Sequence, residues 1–241
     1  MALRPLNVVP FVHEEYSSLG NIQLNDILGA ETFPVDTPEE EVLQAIKSRG
    51  QIPYPIPAGA STHPLGGLGY ARWSFELLSQ EKQLGVSFDT IVAVAGSGST
   101  LGGMVAGFKL AQKLQFVGAK KRIIGFIITG TTKEEMRNHI LKIGQTTATR
   151  IGLSDNDLSA EDFELCDDYV AGGYGILDDV TANGVKEFAR LEGILTDPVY
   201  TGKAVTGMLH FARASKFTVG GNVLFCHTGG QIALSAYPHL H

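Results

Sequence analysis

Only two cysteines, Cys166 and Cys226, occur in the 241 residues. No disulfide framework can carry the fold, and both thiols are expected to be reduced in a cytoplasmic setting. No apolar run approaches the roughly eighteen residues of a membrane span. The opening MALRPLNVVPFV lacks the basic segment and continuous apolar stretch of a secretory signal. Positive charge is scarce and scattered: the net charge is −6, and no basic stripe offers itself to nucleic acid or anionic lipid. Internal repeats and low-complexity tracts are also missing. What these absences leave is a soluble globular protein with a small molecule as its expected partner.

Glycine, by contrast, is abundant, 29 of 241 residues, against a usual share of about 7%. It follows no three-residue period, so tight turns and close backbone approaches are its expected uses. TIVAVA (90–95), RIIGFII (122–128) and NVLFCH (222–227) are continuously apolar and read as strands buried on both faces. Helical patterns lie between them. From Lys133 to Arg150, Met136, Ile140, Ile143 and Thr147 fall at spacings of three and four behind the cap-like TTKEE. The pattern predicts an α/β domain with an open, mostly parallel sheet and helices on both faces.

The first part of the chain has another texture. GNIQLNDILGAETFPV reads as a helix followed by a short strand, and DTPEEEVLQAIKSRG as a helix with Thr37 as cap, Pro38 in the first turn and Gly50 as terminator. QIPYPIPAGASTHPLGGLGY then concentrates prolines and glycines and is the expected crossing between domains, placed as 1–56 and 57–241.

AVAGSGSTLGGMVAGF holds the strongest chemical signal. Gly96, Ser97, Gly98, Ser99 and Thr100 sit between a buried strand and a helix expected to begin near Leu101. Backbone amides at a helix start, with hydroxyls beside them, make an anion cradle suited to phosphate. A P-loop lysine is missing, the spacing is not that of a dinucleotide fingerprint, and no nucleophile elbow is present. A glycine turn that only packs a helix on a sheet is the plain alternative. EGILTDPVYTGKAVTGML places Tyr200, Thr201 and Lys203 in a turn before a helix, and NVLFCHTGGQIALSAY ends a strand at Thr228. Ligands in open parallel sheets bind beyond such strand ends. His13, His63, His139, His210 and His227 are scattered, and His239 with His241 lacks a third ligand, so no metal site is expected.

GNIQLNDILGAE, YPIPAGASTHPLGGLGY, GSGST, EGILTDPVYTGKA and LFCHTGGQIALSAY together resemble, in order, motifs of the 1-aminocyclopropane-1-carboxylate (ACC) deaminase and D-cysteine desulfhydrase family. The resemblance implies the tryptophan-synthase β-like fold with a partial small α/β domain, pyridoxal 5′-phosphate (PLP) as cofactor and a small amino acid as substrate. It implies that Gly96 and Ser97–Thr100 hold the cofactor phosphate and that Tyr174 and Tyr200 are catalytic. It also implies a homodimer or a complementing chain. Thr201 and Thr228 stand at specificity positions where the deaminases carry Glu and Leu, so VYTGK and HTGG match the desulfhydrases. IPAGASTHPLGGLGY and QEKQLGVSFDTIVAV are closer to the deaminase branch.

The family's cofactor lysine lies in a GGNK-like segment, followed by a SNQTR-like stretch, and neither is in this sequence. Lys47, Lys82, Lys109, Lys113, Lys120, Lys121, Lys133, Lys142, Lys186 and Lys216 lie in polar settings and read as solvated charges. Lys203 matches a family motif lysine that is not the attachment point. By itself the chain is therefore expected to lack covalent PLP and activity. It would be a shortened form, a piece complemented by another chain, or a relative that only binds phosphate or PLP.

Overall fold

Strands that are apolar at every position need a helical layer on each side, and this requirement organises the larger part of the molecule. The computed structural model describes residues 2–3, 19–33, 37–56, 62–116 and 120–240. The chain forms two compact units, Met1–Ala58 with Ile232–His241, and Gly59–Gln231. Residues 232–241, which the sequence pattern leaves with the larger part, thus group with the first unit. Residues 57–61, in the Pro/Gly-rich crossing, lie outside the described residues.

In the first unit β1 (Ala2–Leu3) pairs in parallel with β2 (Glu31–Thr32), which follows α1 (Asn21–Ile27) as the sequence predicts. α2 (Glu39–Ser48) starts one residue late. Pro38, not Thr37, is its N-cap: at φ −58° its ψ of 138° is extended and keeps it outside the helix. Gly50, at φ +74°, ends the helix as expected.

The larger unit contains α3 (Leu68–Leu84), β3 (Thr90–Ala95), α4 (Ser99–Lys113), β4 (Arg122–Ile127), α5 (Lys133–Arg150), β5 (Glu164–Cys166), α6 (Asp179–Glu192), α7 (Thr201–Arg213) and β6 (Val223–Phe225). Its strands are all parallel, in the order β5-β4-β3-β6. Ile91, Ala93, Ala95, Ile123 and Ile127 face a core shared with Leu77, Met104 and Ile140 of α3, α4 and α5. Val92, Ile124 and Phe126 face the opposite core, with Ala204 and Phe211 of α7. α5 keeps the predicted limits: Met136, Ile140, Ile143 and Thr147 are buried, and Thr132 with Glu135 closes a capping box.

Two expectations need correction. Val223, Leu224 and Phe225 are half-buried, because β6 is an edge strand among the described residues and lacks a neighbour on one side. Lys121 is buried instead of solvated. It pairs with Glu81 at 2.7 Å and donates to the Phe88 carbonyl at 2.8 Å, while Glu81 accepts the Phe88 N–H at 2.6 Å. It sits at the entry to β4, where the end of α3 covers it, and charge pairing makes that burial tolerable.

The small residues of α4 serve close helix packing. A Cβ on Gly103 would lie 2.2 Å from the Gly67 carbonyl oxygen at the start of α3, and one on Gly102 would lie 2.9 Å from Ile143 of α5. Among the described residues no helix is long and apolar enough to cross a membrane.

Candidate active site

β3 and β6 are parallel neighbours, paired from Thr90–Val223 to Val92–Phe225. β3 leads into α4 on one face of the sheet, while α7, on the other face, leads into β6. Chain directions that diverge in this way open a crevice beyond the carboxyl ends of the strands. The two loops that reach it are Gly96–Gly98 and His227–Gly230.

α4 begins at Ser99, two residues before Leu101, with Gly98 as its N-cap at φ +89°. That left-handed turn favours glycine, and its lack of Cβ lets the loop lie against α5, where a Cβ would come within 3.1 Å of His139 and Ile143. His139 Nε2 donates to the Ser97 carbonyl at 3.1 Å, tying the loop to α5. The Thr100 hydroxyl bonds Tyr70, whose own phenol is pushed up by burial. Gly102 N–H to Gly98 O, at 2.9 Å, is a first-turn bond of α4. The amides of residues 99–101 therefore precede it at the positive end of the helix. Donors concentrated at a helix start, with the exposed Ser97 beside them, fit a phosphate dianion without a basic side chain. An open cleft of about 700 Å³ adjoins Gly96 and is lined by Gly130, Thr131, Glu135, Met136 and His139.

The start of α7 is organised by Asp197, which is fully buried. Its Oδ1 accepts the Thr201 N–H at 2.7 Å and the Thr201 hydroxyl at 2.6 Å. Its Oδ2 accepts the N–H groups of Val199 at 2.8 Å and Tyr200 at 2.7 Å. Because the carboxylate gathers these donors, the helix begins at Thr201 with Tyr200 as N-cap. Thr201 and Lys203 thus belong to its first turn and not to a preceding loop. The loop after β6 closes against the same carboxylate: a Cβ on Gly230 would lie 2.4 Å from Asp197 Oδ1. The Thr201 hydroxyl is 3.3 Å from the Gly229 carbonyl. His227 accepts the Gly229 N–H through Nδ1 at 3.1 Å and donates from Nε2 to the Leu195 carbonyl at 2.8 Å.

The structure brings Tyr174 and Tyr200 together although 26 residues separate them. Their hydroxyls are hydrogen-bonded, and their rings meet edge to face with centroids 5.7 Å apart. Thr201, next in sequence to Tyr200, is fully buried, whereas the Thr228 side chain is exposed on the loop after β6. Lys203 is also fully buried, and its Nζ donates to the carbonyls of Val170 and Gly173, both at 2.7 Å. Burial pushes its pKa down to about 8, against the attraction of Asp178 and Asp197. Burial likewise raises the Cys226 thiol to about 11 and moves Cys166 upward, so neither free thiol is a ready nucleophile at neutral pH.

Asp197 and the burial of Lys203 escape a reading of the sequence. The one signal is Asp-Pro three residues before a helix, the chemistry of an Asx turn. Other lysines are committed elsewhere: Lys109 and Lys120 to Asp162, Lys113 to Asp157 and Lys133 to Asp167.

Residues 3–229 match the family described as pyridoxal-phosphate dependent enzyme. The chain is 40% identical over 237 residues to a 1-aminocyclopropane-1-carboxylate deaminase of Methylobacterium nodulans, covering 95% of this chain and 68% of that protein. It is also 40% identical over 237 residues to a probable 1-aminocyclopropane-1-carboxylate deaminase of Cryptococcus neoformans, covering 95% of this chain and 66% of that one. The chain thus spans about two thirds of the length of these relatives. A crystal structure of an ACC deaminase homologue superposes with a TM-score of 0.75 at 30% identity, covering 99% of this chain and 66% of the other. An L-serine ammonia-lyase from Rhizomucor miehei, at 16% identity and a TM-score of 0.54, shares the fold. On this similarity, which runs through both the Gly96–Thr100 loop and the turn at Asp197, the chain belongs to the ACC deaminase family of pyridoxal-phosphate dependent enzymes.

Proposed function

We propose that the protein is an ammonia-releasing lyase for a small amino acid, and that its reaction is β-elimination from D-cysteine to pyruvate, ammonia and sulfide. The observation that carries this reading is the Tyr174–Tyr200 hydroxyl pair at the start of α7, with threonine at positions 201 and 228 in place of the deaminases' Glu and Leu. The residues that would hold PLP are Ser97, Gly98, Ser99 and Thr100, whose backbone N–H groups at the positive end of α4 suit a phosphate. When bound, PLP supplies an electron sink that weakens a bond to the substrate's α-carbon.

Each hydroxyl of the tyrosine pair can give or accept a proton while the other supports the transient charge with a hydrogen bond. The Thr201 hydroxyl is neutral and already donates to Asp197. It adds no carboxylate charge to favour protonation of a pyridine nitrogen. Loss of a sulfur leaving group demands less electron withdrawal than opening a carbon ring. A second reading, ring opening of ACC to 2-oxobutanoate and ammonia, is favoured by the 40% identity to proteins named for it.

The protein with added PLP and with a GGNK-like lysine segment supplied in the same chain or by a complementing one, offered D-cysteine and ACC separately, tests both readings. Sulfide with pyruvate is expected; 2-oxobutanoate without sulfide would replace the first reading by the second, and no ammonia from either would overturn both. Covalent attachment of PLP is assigned to none of the lysines placed above. A borohydride-reduced adduct on Lys203 would contradict that. Assembly as a homodimer or with a complementing chain belongs to the same reading, and light scattering measures it.

A further inference from the structure

The segment that presents Tyr174 has little of its own to hold its shape. Ala171, Gly172, Gly173 and Gly175 all have positive φ, at 57°, 80°, 153° and 76°, and Ala171 pays a steric penalty there that glycine avoids. The Gly173 N–H bonds the Val170 carbonyl at 3.2 Å, and the Ile176 N–H bonds the Gly173 carbonyl at a long 3.4 Å. Those two carbonyls are the ones that Lys203 Nζ reaches at 2.7 Å. Lys203 is in the first turn of α7, three residues after Tyr200. A single buried ammonium therefore joins the turn carrying one tyrosine to the helix start carrying the other.

We propose that Lys203 is a positioning residue: its ammonium clamps the 170–175 turn to the start of α7 through the Val170 and Gly173 carbonyls and so sets Tyr174 against Tyr200. An ammonium with no exposed surface needs oxygen partners to offset its lost hydration. The two carbonyls supply them, and bonds from a charged donor are about twice as strong as neutral ones. The catalytic consequence rests on the proposed roles of the two tyrosines; the clamp itself does not.

Hydrogen exchange of the full chain, followed across peptides covering 167–177 and the β3 and β4 strands, separates the two. Lys203→Met should speed exchange of the Gly173 and Ile176 amides about tenfold or more, the equivalent of one charged hydrogen bond lost, with β3 and β4 unchanged. Val205→Ala, a cavity in the same helix at another fully buried position, should not single out the turn. Equal acceleration in both variants, or none in Lys203→Met, would overturn the clamp. Turnover on D-cysteine or ACC is then read for Lys203→Met and Tyr174→Phe. A loosened turn with full turnover in Tyr174→Phe would retain the clamp and reject the tyrosine role. Should Lys203→Met fail to fold, limited reductive methylation of the unaltered chain decides: Lys203 must be protected, and labelling as fast as at Lys142 would overturn the proposal.

Discussion

Asp197→Asn should be among the most damaging single-atom changes available to this chain. The carboxylate accepts two bonds at each oxygen, from Val199, Tyr200 and, twice, Thr201. An asparagine keeps one acceptor oxygen and turns an NH₂ toward the other pair of donors, so two of these four bonds are lost. Bonds to a charged partner contribute about 1.5–3 kcal/mol each, giving a loss of about 3–6 kcal/mol. Relief from burying a charge pulls this toward the lower end. For a chain of this length each kcal/mol moves the melting temperature by about 2–4 °C, so the drop should be roughly 6–24 °C. Thermal unfolding followed by far-ultraviolet circular dichroism measures it, with Thr228→Ala, on the exposed loop, as the control. A drop of less than about 2 °C would refute the idea that this carboxylate fixes where α7 begins.

Other expectations follow from the same geometry. Gly98→Ala forces a side chain into a left-handed turn 3.1 Å from His139 and Ile143. It should cost about 1–3 kcal/mol and weaken binding of PLP and of inorganic phosphate together in an isothermal titration. Gly103→Ala, with its Cβ 2.2 Å from the Gly67 carbonyl, should destabilise by at least about 1–3 kcal/mol in urea unfolding. For Lys203 the folded pKa of about 8 lies below its ordinary 10.5, so between these values the unfolded chain binds the extra proton. Stability should therefore gain an increment as pH rises from about 8 toward 10. Lys203→Met should lack that increment when urea midpoints of the two proteins are compared across the window.

Elements set by local chemistry were legible in advance. TIVAVA became β3 residue for residue, the 133–150 stripe became α5 with its cap, and GSGST became a glycine N-cap ahead of α4. Hydrophobic period and capping act over a few residues, so the sequence alone determines them. It likewise determined the family, because motifs keep their order along the chain. Tertiary structure decided the rest. The edge position of β6, the burial of Lys121 and Lys203, and the grouping of residues 232–241 with the first unit depend on partners far away in sequence. So does the meeting of Tyr174 with Tyr200, which needs α7 to start where Asp197 places it and the 170–175 turn to lie within reach of Lys203. Lys203 reads in sequence only as a motif lysine; the packed helix and turn reveal that its charge is enclosed and bound to carbonyls.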